Sequence, residues 1–207
     1  MKVAIVSEFI ADEAAVKVLV DAVLGQTTEL VESRRWRPRG WPSVLNLLPT
    51  IIKGLHYNTD AEGLVVVVDS DDSSVHNDRH DMSNPDCRLC GLQRSASIES
   101  LRLSDVPGRE RMKFAFGLAV PSIEAWYQSI QDSHINEPTW QRRLDGEHIT
   151  YNRASLKIAA YGSERVSTSI KTKKGIEAAS ILSSRLDLLK TLFPGGFGTF
   201  ARQLETW

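Results

Sequence analysis

Gly63-Leu-Val-Val-Val-Val68 runs directly into Asp69-Ser-Asp71-Asp72, and this junction of a β-branched run with a group of carboxylates decides the fold class. A strand with one face in water alternates apolar and polar residues. A run with no polar position must therefore be buried on both faces, as in a parallel sheet covered by helices. The flanking sequence supplies the other elements. Lys2-Val-Ala-Ile-Val6 is a second β-branched run ending at Ser7-Glu8, and the stretch 12–24 then repeats apolar residues at helical spacing up to Gly25. Beyond it the pattern predicts a short strand over 28–32, a helix over 43–55 built on Val44, Leu48 and Ile52, a helix over 95–103 and a strand over 111–120. A helix over 122–131 and helical stretches over 154–160 and 175–192 complete the reading. Strands alternating with helices predict a doubly wound α/β core with a mostly parallel sheet. The expected organisation is a single domain, 1–207, with a polar insertion over about 70–95 and an α-helical C-terminal part over about 140–207.

Composition narrows the function classes. Hydrophobic residues at 42% and charged residues at 25% match ordinary soluble usage. No segment approaches the ~20 apolar residues that span a bilayer. The N-terminal run meets an acid at Glu8 with no extended apolar region and no small-residue cleavage site, so it reads as a first strand and the cytoplasm is the expected compartment. A formal net charge of -1 gives no global basic footprint, so any nucleic acid must be held by local patches or through metal ions.

Three acidic signals fall where an α/β sheet places chemistry, at the carboxyl ends of strands. Glu8 ends the first run, and Asp69 and Asp71, with Asp72 beside them, follow the valine strand. Side-chain alternation sends Asp69 and Asp71 to one side if the extended backbone continues. Glu124 falls in the first turn of a helix in Pro121-Ser-Ile-Glu124-Ala-Trp126, after a third strand. Carboxylates brought together repel one another, and a hard cation such as Mg²⁺ is the usual compensation.

This order resembles the Toprim family, the metal-binding domain of topoisomerases, primases and nucleases of the overcoming-lysogenization-defect type. Their pattern is a Glu after the first strand and an Asp-x-Asp after a later one. Here Glu8 and Asp69-Ser-Asp71 match it, Asp12-Glu13 fits the acidic helix start, and Phe9 stands where the family usually has Gly. Pro121-Ser-Ile-Glu124-Ala-Trp126 is similar to a segment of small stand-alone bacterial Toprim-like proteins, many encoded beside ATPases. Tyr161-Gly162 and Phe200-Ala-Arg-Gln-Leu204 are similar to that group's C-terminal half. The resemblance implies a Toprim-like Rossmannoid fold and a nuclease holding Mg²⁺ or Mn²⁺ with Glu8, Asp69, Asp71, Glu124 and the spare carboxylate Asp72. It also implies a role in antiviral defence or DNA processing, and an ATPase as partner protein. No GxxxxGK[ST] pattern occurs, so energy-dependent steps would come from that partner.

Within the polar insertion, His76, His80, Cys87 and Cys90 make the spacing His-x3-His-x6-Cys-x2-Cys. Zn²⁺ favours four N or S ligands in a tetrahedron, so the set is chemically complete for a structural zinc site. An exposed CxxC with scattered surface histidines is the alternative. A redox role is weaker, because that motif belongs at a helix start and the composition here predicts a polar loop.

Arg34-Arg35-Trp36-Arg37-Pro-Arg39-Gly-Trp41 interleaves four arginines with two tryptophans, a pattern that can grip phosphates and stack on bases. The same loop also reads as a solvated basic segment with its tryptophans packed on the core. Lys173, in the group Lys171, Lys173 and Lys174, is a candidate for stabilising phosphate charge beside the metals, with Lys157 a lesser one. Three function classes stay open: the metal-dependent nuclease that the resemblance implies, with DNA the first expectation and RNA open; a non-catalytic binding or regulatory module docking to an ATPase, also on the resemblance; and a phosphotransferase or phosphatase on a small substrate, using an aspartate of Asp69-Ser-Asp71.

Overall fold

The computed structural model describes residues 1–31, 38–77, 79–80 and 84–207. Four strands form one parallel sheet in the order β2-β1-β3-β4: β1 (Lys2–Ser7), β2 (Glu29–Leu30), β3 (Gly63–Asp69) and β4 (Lys113–Ala119). Helices cover both faces, as the unbroken valine run requires. Leu64 to Val68 are all buried, and the strand's last residue, Asp69, is the first to reach partial exposure.

The chain leaves β1 in one direction to reach β2, then crosses back over β1 to β3 and continues outward to β4. That reversal makes the carboxyl end of β1 and β3 the topological switch point, where open α/β sheets bind ligands. In register, Ser7 lies beside Val67. Glu8 therefore leaves β1 next to the end of β3. Glu8 and Asp69 meet at this crevice.

Helix α1 (Ile10–Leu24) packs against α7 (Thr168–Leu182) and α9 (Thr199–Leu204) on one face, and α9 lies on β4. The approach of α1 to α7 is close at Gly175, where an added Cβ would stand 3.4 Å from that of Ala15. Helices α2 (Trp41–Asn58) and α3 (Arg88–Ser100) pair on the opposite face. Helix α4 (Ile123–Gln128) follows β4, and α5 (Glu137–Leu144), α6 (Arg153–Tyr161) and α8 (Leu186–Leu192) make up most of the remainder of the C-terminal half. Phe193, Phe197 and Phe200 belong to the same continuous core as the sheet, so the C-terminal part is built into the fold.

Several boundaries move from expectation. The second strand is only Glu29–Leu30, an exposed edge, and α2 starts earlier than the apolar pattern, with Pro42 in its first turn. Helix α3 begins at Arg88, not near 95, because buried Leu89, Cys90 and Leu92 make a helical face that the polar composition masks. The expected helix 175–192 is two helices, α7 and α8, broken at Ser183–Arg185.

A π-helical turn at Pro194–Gly198 closes against the site end of the sheet. The buried carboxylate of Glu137 accepts the backbone N–H groups of Gly195 (2.7 Å) and Gly196 (2.6 Å), yet burial still pushes it up to about 8. An added Cβ would fall 1.8 Å from the His76 carbonyl oxygen at Gly195 and 1.9 Å from that of Leu118 at Gly196. Backbone oxygens cannot rotate away. Gly196→Ala is expected to destabilise the protein by about 3 kcal/mol or more, read as a lower urea midpoint at unchanged slope.

Candidate metal centres

The inner group of carboxylates comes from two strand ends and the first turns of two helices. Glu8 is buried, and its Oε1 accepts the backbone N–H of Asp69 at 3.0 Å, which ties the end of β1 to the end of β3. Asp69 Oδ1 in turn accepts the N–H of Ile123 at 3.0 Å, holding the first turn of α4 and hence Glu124 against the sheet. Glu124 is buried, and its Oε2 has no hydrogen-bond partner among the described residues. Asp12, from the first turn of α1, completes the set.

The electrostatics follow from burial and like charge. Burial raises the Asp69 carboxyl well above the usual carboxylate range, and Glu124, Asp12, Glu8 and Asp71 push it further. Asp12 is pushed up to about 7, first by burial, then by Glu124 and Glu8, against the pull of Lys171 and Lys157. Glu8 is raised by burial despite the Arg88 guanidinium beside it. Tyr161 and Tyr127 are both held far above the ordinary phenol range by burial and by these acids. Several carboxylates in such a space cannot all stay ionised without a cation or a proton between them.

Asp71 stands apart. The strand ends at Asp69 and the chain turns, with Asp71 at φ 50°, so the expected alternation does not carry both side chains to one side. Asp71 is instead ion-paired to Arg88 (2.8 Å) and to Arg153. It remains close enough to raise both Glu8 and Asp69. Asp72 is exposed and paired with Arg143 at 2.8 Å, and the Arg143 guanidinium lies over the Trp140 ring, so the spare carboxylate points outward.

Arg88 enters the group from α3. Its guanidinium donates to the Asp69 carbonyl oxygen at 2.7 Å, lies 3.5 Å from Glu8 Oε1 and rests 5.2 Å from the centre of the Trp41 ring. Trp41 is thus a platform within the protein. Arg153 is placed by the capping box at Asn152 and Ser155 that starts α6. Lysine placement also differs from expectation. Lys173 is exposed on α7, while Lys171, one helical turn past the Ser167 cap, lies over the Phe9 and Tyr161 rings and acts on Asp12.

Arg39 is exposed and lines, with Glu8, Phe9 and Lys171, a cavity of about 400 Å³ beside the inner carboxylates. Arg34, Arg35 and Arg37, the rest of the expected phosphate-gripping loop, lie outside the described residues together with Trp36.

A second group lies behind Arg88. His76, His80, Cys87 and Cys90 bring one ligand atom each to within 4.8 Å of one another. His76 Nδ1 is 3.4 Å from Cys87 Sγ and 3.6 Å from Cys90 Sγ. Zn–S bonds of about 2.3 Å and Zn–N bonds of about 2.0–2.1 Å, set at the tetrahedral angle, separate neighbouring donors by about 3.5 Å. His80 Nε2 contacts the Asn77 side-chain amide, while its Nδ1 is buried without a hydrogen-bond partner among the described residues, as a ligand atom awaiting a metal would be. Both cysteines are buried and neither is in a disulfide. This group could bind a metal such as zinc.

The CxxC is not in a polar loop. Cys87 is the N-cap of α3 and Cys90 lies in its first turn. A helix start is also where redox cysteines sit, but two imidazoles at ligand distance make metal binding the better account of these thiols. Purified without chelator, the protein is expected to carry one equivalent of zinc by elemental analysis, and Cys87→Ser should lose it and loosen 76–90 before the sheet melts. A zinc content near zero would refute the site.

Against known proteins, the chain matches no family model, no curated protein and no solved structure. Among the described residues, no helix is long and apolar enough to cross a membrane.

Proposed function

We propose that the chain is a Toprim-like, metal-dependent nuclease, with DNA as its first substrate. The observation that carries this reading is the convergence of Glu8, Asp12, Asp69 and Glu124 at the switch point, where burial first and like charge second raise Asp69 and Asp12. The donor set suits a hard divalent ion in kind, being all oxygen with the buried Glu124 Oε2 unpartnered among the described residues, although among those residues only the His/Cys group already brings its ligand atoms together as a metal would need. Glu8, Asp69 and Glu124, with Asp12 or Asp71, would hold Mg²⁺ or Mn²⁺. Such an ion supplies Lewis acidity toward a phosphodiester and a more acidic bound water.

The chain's own residues have separable tasks. Asp69 fixes the first turn of α4, Glu8 locks β1 to β3, and Asp12, pushed up to about 7, can take or hold a proton near neutral pH. Lys171 and Arg39 supply positive charge on the cavity side of Glu8, and Phe9 exposes its ring there. A near-neutral protein can bind a polyanion through such local groups. An antiviral-defence or DNA-processing role, with an ATPase partner, belongs to the same proposal.

A second reading has a specific observation in its favour. Asp71 is already neutralised by Arg88 and Arg153, as suits a non-catalytic module that docks to a partner. Incubation with supercoiled plasmid separates the two. The nuclease should nick or linearise it in Mn²⁺ or Mg²⁺ and not in excess chelator. Intact plasmid under every divalent ion would favour the docking module.

A further inference from the structure

Arg88 sits between the two cysteines of the His/Cys group and reaches the carboxylate group on its other side. One turn of backbone, Cys87 to Cys90, therefore fixes a candidate metal ligand at each end and a part-buried guanidinium in between. We propose that Arg88 is a phosphate-binding residue positioned by the His/Cys metal centre, so that zinc loading governs how the protein grips nucleic acid. This rests on the nuclease reading for its substrate class.

Three observations converge. An arginine has five N–H donors, and among the described residues the acceptors around Arg88 are the Asp69 carbonyl, Asp71 Oδ2 and, at 3.5 Å, Glu8 Oε1. Donors remain for another oxygen. Arg88 also lines an open surface cavity of about 420 Å³ with Trp41, Ser73, Ser74 and the acids Asp72 and Asp86, of which Asp72 is already paired with Arg143. Ser73 lines it, and the Ser73 Oγ has no hydrogen-bond partner among the described residues. The cavity meets the carboxylate group at Arg88, so a phosphate held there lies beside Asp69 and Asp71.

The guanidinium depends on the turn that carries it. No side chain caps the N-terminus of α3: Cys87 occupies the N-cap position and makes no capping hydrogen bond. Without a metal, that turn is held by its packing, by the contacts of His76 Nδ1 to Cys87 Sγ and Cys90 Sγ, and by the bonds of Arg88 to Asp69 and Asp71. Four metal–ligand bonds would fix Cys87 and Cys90, and with them the direction in which Arg88 leaves the backbone.

The test measures the affinity of the full chain for a short fluorescein-labelled single-stranded DNA, in Ca²⁺ and across a salt series, with zinc loaded or stripped by a chelator. Zinc-loaded Arg88→Ala should keep its zinc and its circular dichroism, bind roughly tenfold more weakly, and lose about 0.7 from the slope of log affinity against log salt. Arg88→Lys should recover the slope. Stripped wild-type protein should show the same loss and faster deuterium uptake over 88–92. Stripping Arg88→Ala should cost nothing more. The proposal is overturned if zinc-loaded Arg88→Ala binds as tightly as wild type, if stripping leaves wild-type affinity unchanged, or if the two losses multiply. It is equally overturned if zinc-loaded wild type binds no DNA. Because binding is read without cleavage, a protein that behaves as expected here but leaves plasmid intact sinks the nuclease reading alone.

Discussion

Asp69→Asn is expected to reduce divalent-dependent plasmid cleavage by at least about a hundredfold while leaving the fold intact. Changes outside the first ligand shell already cost about 10–100-fold at metal sites, so loss of a ligand charge should cost no less. The substitution is structurally mild. Asn retains the oxygen that accepts the Ile123 N–H, so the first turn of α4 keeps its anchor. It removes a carboxyl that burial and four neighbouring acids oppose. The metal-free variant should therefore melt higher than wild type; a gain of ~1 kcal/mol would appear as about 2–4 °C. Cleavage at the wild-type rate would remove Asp69 from the chemistry. A lower melting temperature would show that its carboxylate holds the fold together.

The second large effect is on stability against pH. The folded value for Asp12, about 7, lies above its ordinary 3.8. A raised value means that its stabilising contribution is complete below pH about 4 and is lost as pH climbs through about 7. The displacement corresponds to at most ~4 kcal/mol, shared among coupled neighbours. Zinc-loaded protein free of other divalent ions should thus lose melting temperature between pH about 5.5 and about 7.5. The lower limit keeps the imidazole and thiolate ligands of the second centre deprotonated. Asp12→Asn should flatten the decline, and Mn²⁺ should restore stability at the upper end. A wild-type melting temperature that rises over this interval, in the absence of divalent ions, would contradict the described crowding.

Much of this site can be read from the sequence because it lies at strand ends. A β-branched run followed by an acid needs only local pattern, and Glu8 and Asp69 fall where that pattern puts them, at the switch point of a parallel sheet. The His76, His80, Cys87 and Cys90 spacing is similarly local, and the four residues do meet. Other members have no such signal. Arg153 and Tyr161 come from a helix far along the chain and reach the carboxylates only through the packing of α6 against α4. Asp12 reads as an ordinary acid in the first turn of a helix, which it is; its role follows from where α1 begins.

Arg88 carried a signal in its position between two cysteines, but the polar composition of 70–95 hid the helix start that aims it. Asp71 departs from expectation because the strand stops two residues before it, and periodicity ends where the strand does. For the lysines, the choice between Lys171 and Lys173 is one of helical phase, which a charged cluster of uniform composition does not reveal.

The central claim is that these carboxylates exist to hold a divalent ion, and a crystal of the full chain soaked in Mn²⁺ tests it most directly. Anomalous density is expected between Glu8 and Asp69, in contact with Glu124 or Asp12, and should vanish in Asp69→Asn. Full occupancy by Mn²⁺ at other surface acids, with the Glu8–Asp69 crevice empty at the same concentration, would contradict the account.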